Sequence, residues 1–124
     1  MVLVLVVGMA GCRSGSGATQ PREKMRVALV LPSTIDDMAW SQSMLEALRN
    51  VQNEMGADRL EIAVSERLGT PVEGGAAVRQ YADQGYDIVI AHGAQFQQMV
   101  FEIARDFPGT SFAYGAGYET GQNV

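Results

Sequence analysis

The chain has 124 residues, 47% of them hydrophobic and 19% charged, the composition of one compact domain rather than a disordered tail. Its formal net charge is −5 with acids and bases interspersed, so the clustered positive surface that neutralises phosphates is missing and no nucleic-acid partner is expected. One cysteine excludes an intrachain disulfide, and one histidine excludes a histidine-rich metal cluster.

Met1 to Gly11, MVLVLVVGMAG, is a run of uncharged residues. As a helix it would reach roughly 16 Å, about half the hydrocarbon thickness of a bilayer, so it cannot span one. Its length is that of a signal-peptide apolar region, and it ends in M-A-G-C, which resembles the cleavage motif of bacterial lipoproteins. Residues 1–11 are therefore expected to be a signal peptide and Cys12 the lipidated residue. Residues 12–24, which include R-S-G-S-G-A-T-Q-P, are expected to form a polar tether on the extracytoplasmic face of the cell membrane. The first basic residue is Arg13, where a signal peptide should begin with one, so the natural start is expected upstream. The competing reading is a valine-rich core strand ending in a buried cysteine.

From Met25 the apolar pattern alternates between strand and helix periods. Val27 to Leu31 is a continuous apolar run closed by Pro32, a buried parallel strand. Trp40, Met44, Leu48, Val51 and Met55 trace an amphipathic helix stopped by Gly56. Leu60 to Val64 reads as a second strand. Thr70, Pro71 and Glu73 form a capping box that opens a second helix, which runs to about Gln84 and is stopped by Gly85. Tyr86 to Ala91 reads as a third strand, with Ile88, Val89 and Ile90 buried on both faces. Phe96, Met99, Val100, Ile103, Ala104 and Phe107 trace a third helix, ended by Pro108-Gly109. Thr110 to Tyr114 reads as a fourth strand, followed by a glycine-rich tail.

This βαβαβαβ order, with right-handed crossovers, predicts a three-layer α/β domain with a mostly parallel sheet. Ligands of such sheets bind beyond the carboxyl ends of the strands, near the point where strand order reverses. Three loops fall there: Pro32 to Ala39, His92 to Gln95, and Gly115 onward. Asp36-Asp37 and Trp40, the single tryptophan, lie in or beside the first loop. An acidic pair there also suits a phosphoacceptor domain, but the third strand ends in A-H-G-A-Q, without the aspartate that would be its nucleophile. Asp37 fits a helix N-cap as well as a ligand contact, and both can hold for one carboxylate. Trp40 fits the core as well as a cleft. His92 lacks a nucleophilic partner or a G-x-S-x-G elbow, so a hydrogen-bonded loop histidine is expected and no catalysis. No phosphate-binding or dinucleotide fingerprint is present, and no cofactor is expected.

Three segments taken together, M-R-V-A-L-V-L-P-S-T-I-D-D-M-A-W-S-Q-S, A-V-R-Q-Y-A-D-Q-G-Y-D-I-V-I-A-H-G and F-P-G-T-S-F-A-Y, resemble the basic membrane protein family. These are substrate-binding lipoproteins of ABC importers, a group that includes purine nucleoside receptors. The resemblance runs from about Met25 to Val124. It implies a type I periplasmic-binding-protein lobe of flavodoxin-like strand order over residues 25–124, the N-terminal half of a two-lobed receptor. It implies that Asp37 hydrogen-bonds a purine nucleoside or base, that Trp40 stacks on its ring, and that an ABC permease is the partner. Ser41, His92, Gly93, Phe96, Gly115 and Tyr118 are the further candidate ligand contacts. Family members are more than twice as long, so the chain is expected to lack the second lobe. The alternative is a one-lobe sensory or interaction lipoprotein that binds no solute.

Overall fold

The computed structural model describes residues 24–124; Cys12 and the signal-peptide and tether assignments lie outside them. The elements are β1 (Met25–Val30), α1 (Trp40–Met55), β2 (Leu60–Ser65), α2 (Pro71–Asp83), β3 (Ile88–Ala91), α3 (Gln97–Ala104) and β4 (Ser111–Tyr114). A short 3₁₀ turn, Ala94–Phe96, leads into α3. The four strands form one parallel sheet in the order β2-β1-β3-β4, with Val27 paired to both Ile62 and Ile88. This is the flavodoxin-like order, and its reversal point lies between β1 and β3.

Period-2 alternation along β1 divides its side chains between two cores. Ala28 and Val30 face a cluster with Val78 and Ala82 of α2 and Val100, Ile103 and Ala104 of α3. Val27, Leu29 and Leu31 face the other side, where Leu45 and Leu48 of α1 and Leu60 of β2 complete the cluster. The three layers are α1, the sheet, and α2 with α3.

Local chemistry explains the element boundaries. The Thr70 hydroxyl accepts from Glu73 N–H at 3.3 Å, and the Glu73 carboxylate accepts from Thr70 N–H at 3.2 Å, the reciprocal capping box expected for α2. Gly56 and Gly85 hold positive φ (98° and 72°) where helices end, a region that side chains with a Cβ disfavour. Inside α2, a Cβ on Gly74 would lie 2.5 Å from the Phe96 ring, so the bare glycine gives the ring its seat.

Several expectations are corrected. The inner face of α1 carries Ser41, Leu45 and Leu48, while Val51 is exposed, so the buried stripe falls on residues other than the apolar ones alone. The ordered strand β3 starts at Ile88. Tyr86 is instead a buried residue whose ring carries the Arg26 guanidinium at 4.0 Å. Ile88 and Ile90 are only partly buried, because among the described residues α1 is the one helix packed on that face of the sheet. α3 stops at Ala104, and Phe107 lies in the following turn. The tail folds back: Asn123 C=O accepts from Phe112 N–H at 2.7 Å, and its side-chain amide donates to the carbonyls of Ala104, Phe107 and Thr110.

Candidate functional site: a crevice at the carboxyl ends of β1, β3 and β4

The β1–α1 connection is held to the sheet and to the helix it feeds. Leu68 N–H donates to Leu31 C=O, and Arg67 N–H to Ser33 C=O, fastening the loop to the chain beyond β2. Met38 adopts φ of 55°, a tight turn that sets Asp37 over the start of α1. There Asp37 Oδ1 accepts from Ala39 N–H (2.9 Å) and Gln42 N–H (3.1 Å), while Oδ2 accepts from Ser41 N–H (3.1 Å). The amides that open a helix have no partner within it, and Asp37 supplies one from two residues outside the cap position. These bonds, the one from Gln42 first, hold its carboxyl below the ordinary value against an opposing desolvation. The capping reading of Asp37 is what the geometry displays: three amides of α1 hold the carboxylate, and the Ser41 side chain also favours its charged form.

Trp40, the first residue of α1, is 47% exposed and does not enter the core. Its indole lies flat on the His92 imidazole, with ring centroids 4.2 Å apart and planes 10° from parallel. Two hydrogen bonds close the pair: Trp40 Nε1–H donates to His92 C=O at 3.0 Å, and His92 Nε2 meets Trp40 C=O at 3.2 Å. A carbonyl only accepts, so Nε2 carries the proton and Nδ1 is the bare nitrogen. His92 is 5% exposed, and Nδ1 is buried with no hydrogen-bond partner among the described residues. Burial pushes the imidazole pKa below its ordinary value, outweighing the Trp40 carbonyl and the Asp37 charge that pull it up.

Gly115, just past β4, closes the group from the other side. A Cβ there would stand 2.8 Å from His92 Nδ1 and 3.1 Å from the indole, so only glycine lets the backbone lie against the stack. Gly93 is buried directly after His92, with its N–H donated to Ala91 C=O. The fold thus gathers Asp37, Trp40, His92, Gly93 and Gly115, from three loops and the start of α1, onto one end of the sheet, and Tyr118 sits 85% exposed on the loop after β4.

Two candidates fall elsewhere. Ser41 is wholly buried, and its hydroxyl accepts from Ser33 N–H at 3.3 Å, so it braces the loop from inside and presents no surface to a ligand. Phe96 is wholly buried against Gly74 of α2 and belongs to the core. The crevice itself is an open surface. A groove of about 420 Å³ on the outer side of α3, lined by Gln97, Phe101, Glu102, Arg105 and Glu119, contains none of these residues.

Fold and crevice together define a lobe of the periplasmic-binding-protein type, built around a switch point of a parallel sheet. Residues 24–124 match the family model Bmp, described as "ABC transporter substrate-binding protein PnrA-like", and the chain belongs to that family. It is a family of solute-binding proteins, not of enzymes. The chain is similar to the Bacillus subtilis transcriptional activator protein Med, 23% identical over 98% of this chain and 38% of that protein. It is also similar to Haloferax volcanii TsgA13, provisionally named an ABC transporter glucose-binding protein, 28% identical over 87% of this chain and 27% of that protein. Among solved structures, an ABC transporter solute-binding protein of Conexibacter woesei superposes with a TM-score of 0.64 at 23% identity, covering 71% of this chain and 28% of that one. The chain therefore spans well under half the length of these relatives. Among the described residues no helix is long and apolar enough to cross a membrane.

Proposed function

We propose that this chain is one ligand-facing lobe of an extracytoplasmic solute receptor of an ABC importer, and that its solute is a purine nucleoside or base. The observation that carries the reading is the half-exposed Trp40, held flat at the switch point by His92. One indole face is spent on the imidazole, which leaves the other for a planar ligand. The Asp37 carboxylate, besides capping α1, would take an N–H or O–H of that ligand. The backbone of Gly115 and the ring of Tyr118 would border it. Cys12 would carry the lipid anchor behind a tether over residues 12–24, and an ABC permease would be the partner.

A single lobe supplies one wall. Stacking on one aromatic contributes roughly 1–3 kcal/mol, and a hydrogen bond to a charged group about 1.5–3 kcal/mol. Micromolar affinity needs about 8 kcal/mol, so the isolated lobe should bind in the millimolar range and gain the rest from an opposing wall.

The test is a titration of the tryptophan fluorescence with adenine, adenosine, guanosine and glucose, repeated with Trp40→Ala under calorimetry. The purines should perturb the emission and the substitution should abolish binding. Glucose acting while every purine is silent would sink the purine assignment. A second reading, a regulatory lobe with no import role, is favoured by the names of Med and of the structurally similar Bacillus halodurans transcriptional activator of the comK gene. Silence toward all four solutes would favour it.

A further inference from the structure

We propose that His92 is a positioning residue that fixes the posture of the Trp40 indole, and that uptake of a second proton at Nδ1 releases the indole. This deepens the reading of Trp40 as the ligand platform, and its consequence for binding rests on that reading.

The two rings are bound to each other's backbone. Indole N–H to His92 C=O, imidazole Nε2–H to Trp40 C=O, and the 4.2 Å stack are three restraints between one pair of residues. Trp40 has little other support, since almost half of it is exposed and it points off the core face of α1. Whatever turns the imidazole therefore frees the indole.

The neutral imidazole is the form this packing accepts. With Nε2 donating to Trp40, the second proton must go to Nδ1, which is buried, unpartnered, and pressed against the Gly115 backbone. A buried N–H with positive charge and no acceptor is costly unless the ring turns toward water. Against His92 lie Trp40 from α1, Val30 of β1, whose carbonyl accepts the His92 N–H, and Gly115 after β4, and the Asp37 carboxylate of the β1–α1 connection acts on it through its charge. Of these Asp37 alone ionises. Its negative charge favours the imidazolium but is already committed to three amides of α1, and burial outweighs it. The indole is thus locked at neutral pH and above, and is freed on acidification below 6.5, the ordinary histidine value. A ligand platform built this way loosens its hold in mild acid.

The chain has one tryptophan and one histidine, so a single indole N–H resonance and a single fluorophore report the event. In the 124-residue chain, the indole N–H should be protected from exchange at about pH 8 and lose protection toward about pH 5, with a red shift of emission. Far-UV circular dichroism should hold across that range. His92→Gln, whose amide keeps a donor for Trp40 C=O but cannot titrate, should retain protection throughout, while His92→Leu should lack it at every pH. An indole unchanged across the range, a pH response surviving in His92→Gln, or a change that merely tracks loss of the dichroism signal overturns the proposal. If His92→Gln fails to fold, the wild-type titration decides alone. Adenosine affinity should fall in acid for the wild type and not for His92→Gln. If adenosine binds at neither pH, the purine reading fails while the indole resonance still decides the coupling.

Discussion

Trp40 and His92, 52 residues apart in the chain, each donate a hydrogen bond to the other's backbone carbonyl while their rings stack. The pair ties the start of α1 to the end of β3 across the reversal point of the sheet. Stability should carry its signature. The folded-state pKa of His92 is lowered, so the unfolded chain binds more protons in the window just below 6.5. The His92 contribution is fully present above that value and is lost as pH falls from it through the folded value. Urea unfolding at stepped pH should show this acid loss in the wild type and not in His92→Gln. Equal slopes in both proteins would refute it.

Asp37 should behave as the cap of α1. Asp37→Ala leaves the amides of Ala39, Ser41 and Gln42 without their acceptor and should lower the melting temperature, with Asp37→Asn intermediate because one side-chain oxygen remains. Its folded-state pKa lies below the ordinary 3.8. Its stabilisation is therefore present above 3.8 and fades as pH falls through the folded value. An Asp37→Ala protein as stable as wild type near neutrality would disprove the capping role.

The adjacent glycines of α2 should respond with opposite severity to the same change. Gly74→Ala drives a Cβ to 2.5 Å from the wholly buried Phe96 ring, and overpacking of that kind costs about 1–3 kcal/mol, beyond what helix propensity returns. Gly75→Ala meets Met99, an unbranched side chain that can yield, and should change stability by no more than about 0.5 kcal/mol. Combining Gly74→Ala with Phe96→Leu should recover part of the loss. Thermal unfolding of the four proteins settles the comparison.

Asn123 should matter more than a tail residue ordinarily does. Its amide serves the carbonyls of Ala104, Phe107 and Thr110, which closes the α3–β4 connection. Asn123→Ala should cost about 1–3 kcal/mol. Asn123→Asp should cost more, because it turns a donor into an acceptor facing three acceptors. A melting temperature unchanged in both would show the contact to be energetically idle.

The lipid anchor is tested on the whole chain in a bacterial host. Metabolic labelling with a fatty acid should mark the wild type and not Cys12→Ala, and the substituted protein should move to the soluble fraction. A labelled, membrane-bound Cys12→Ala protein would exclude Cys12 as the attachment site.

The sequence by itself determined the order and type of the elements. Valine and isoleucine runs of strand length, the capping box at Thr70, and glycines at Gly56 and Gly85 act through neighbours a few residues away, and local chemistry of that kind is written in adjacent letters. It also placed Asp37, Trp40, His92 and Gly115 at one end of the sheet, because topology alone assigns loops to ends. Only the tertiary structure decided what each residue does there. Ser41 and Phe96 stand beside the site but turn inward: Ser41, one residue after Trp40, points about 100° round α1 from it, and Phe96 closes the 3₁₀ turn against Gly74. Trp40 stands off the core because His92, reached through a whole βαβ crossover, offers it a ring and a carbonyl. Asn123 gave no signal in the sequence at all. Its three acceptors come from one helix end and two turns that meet only after the sheet has formed.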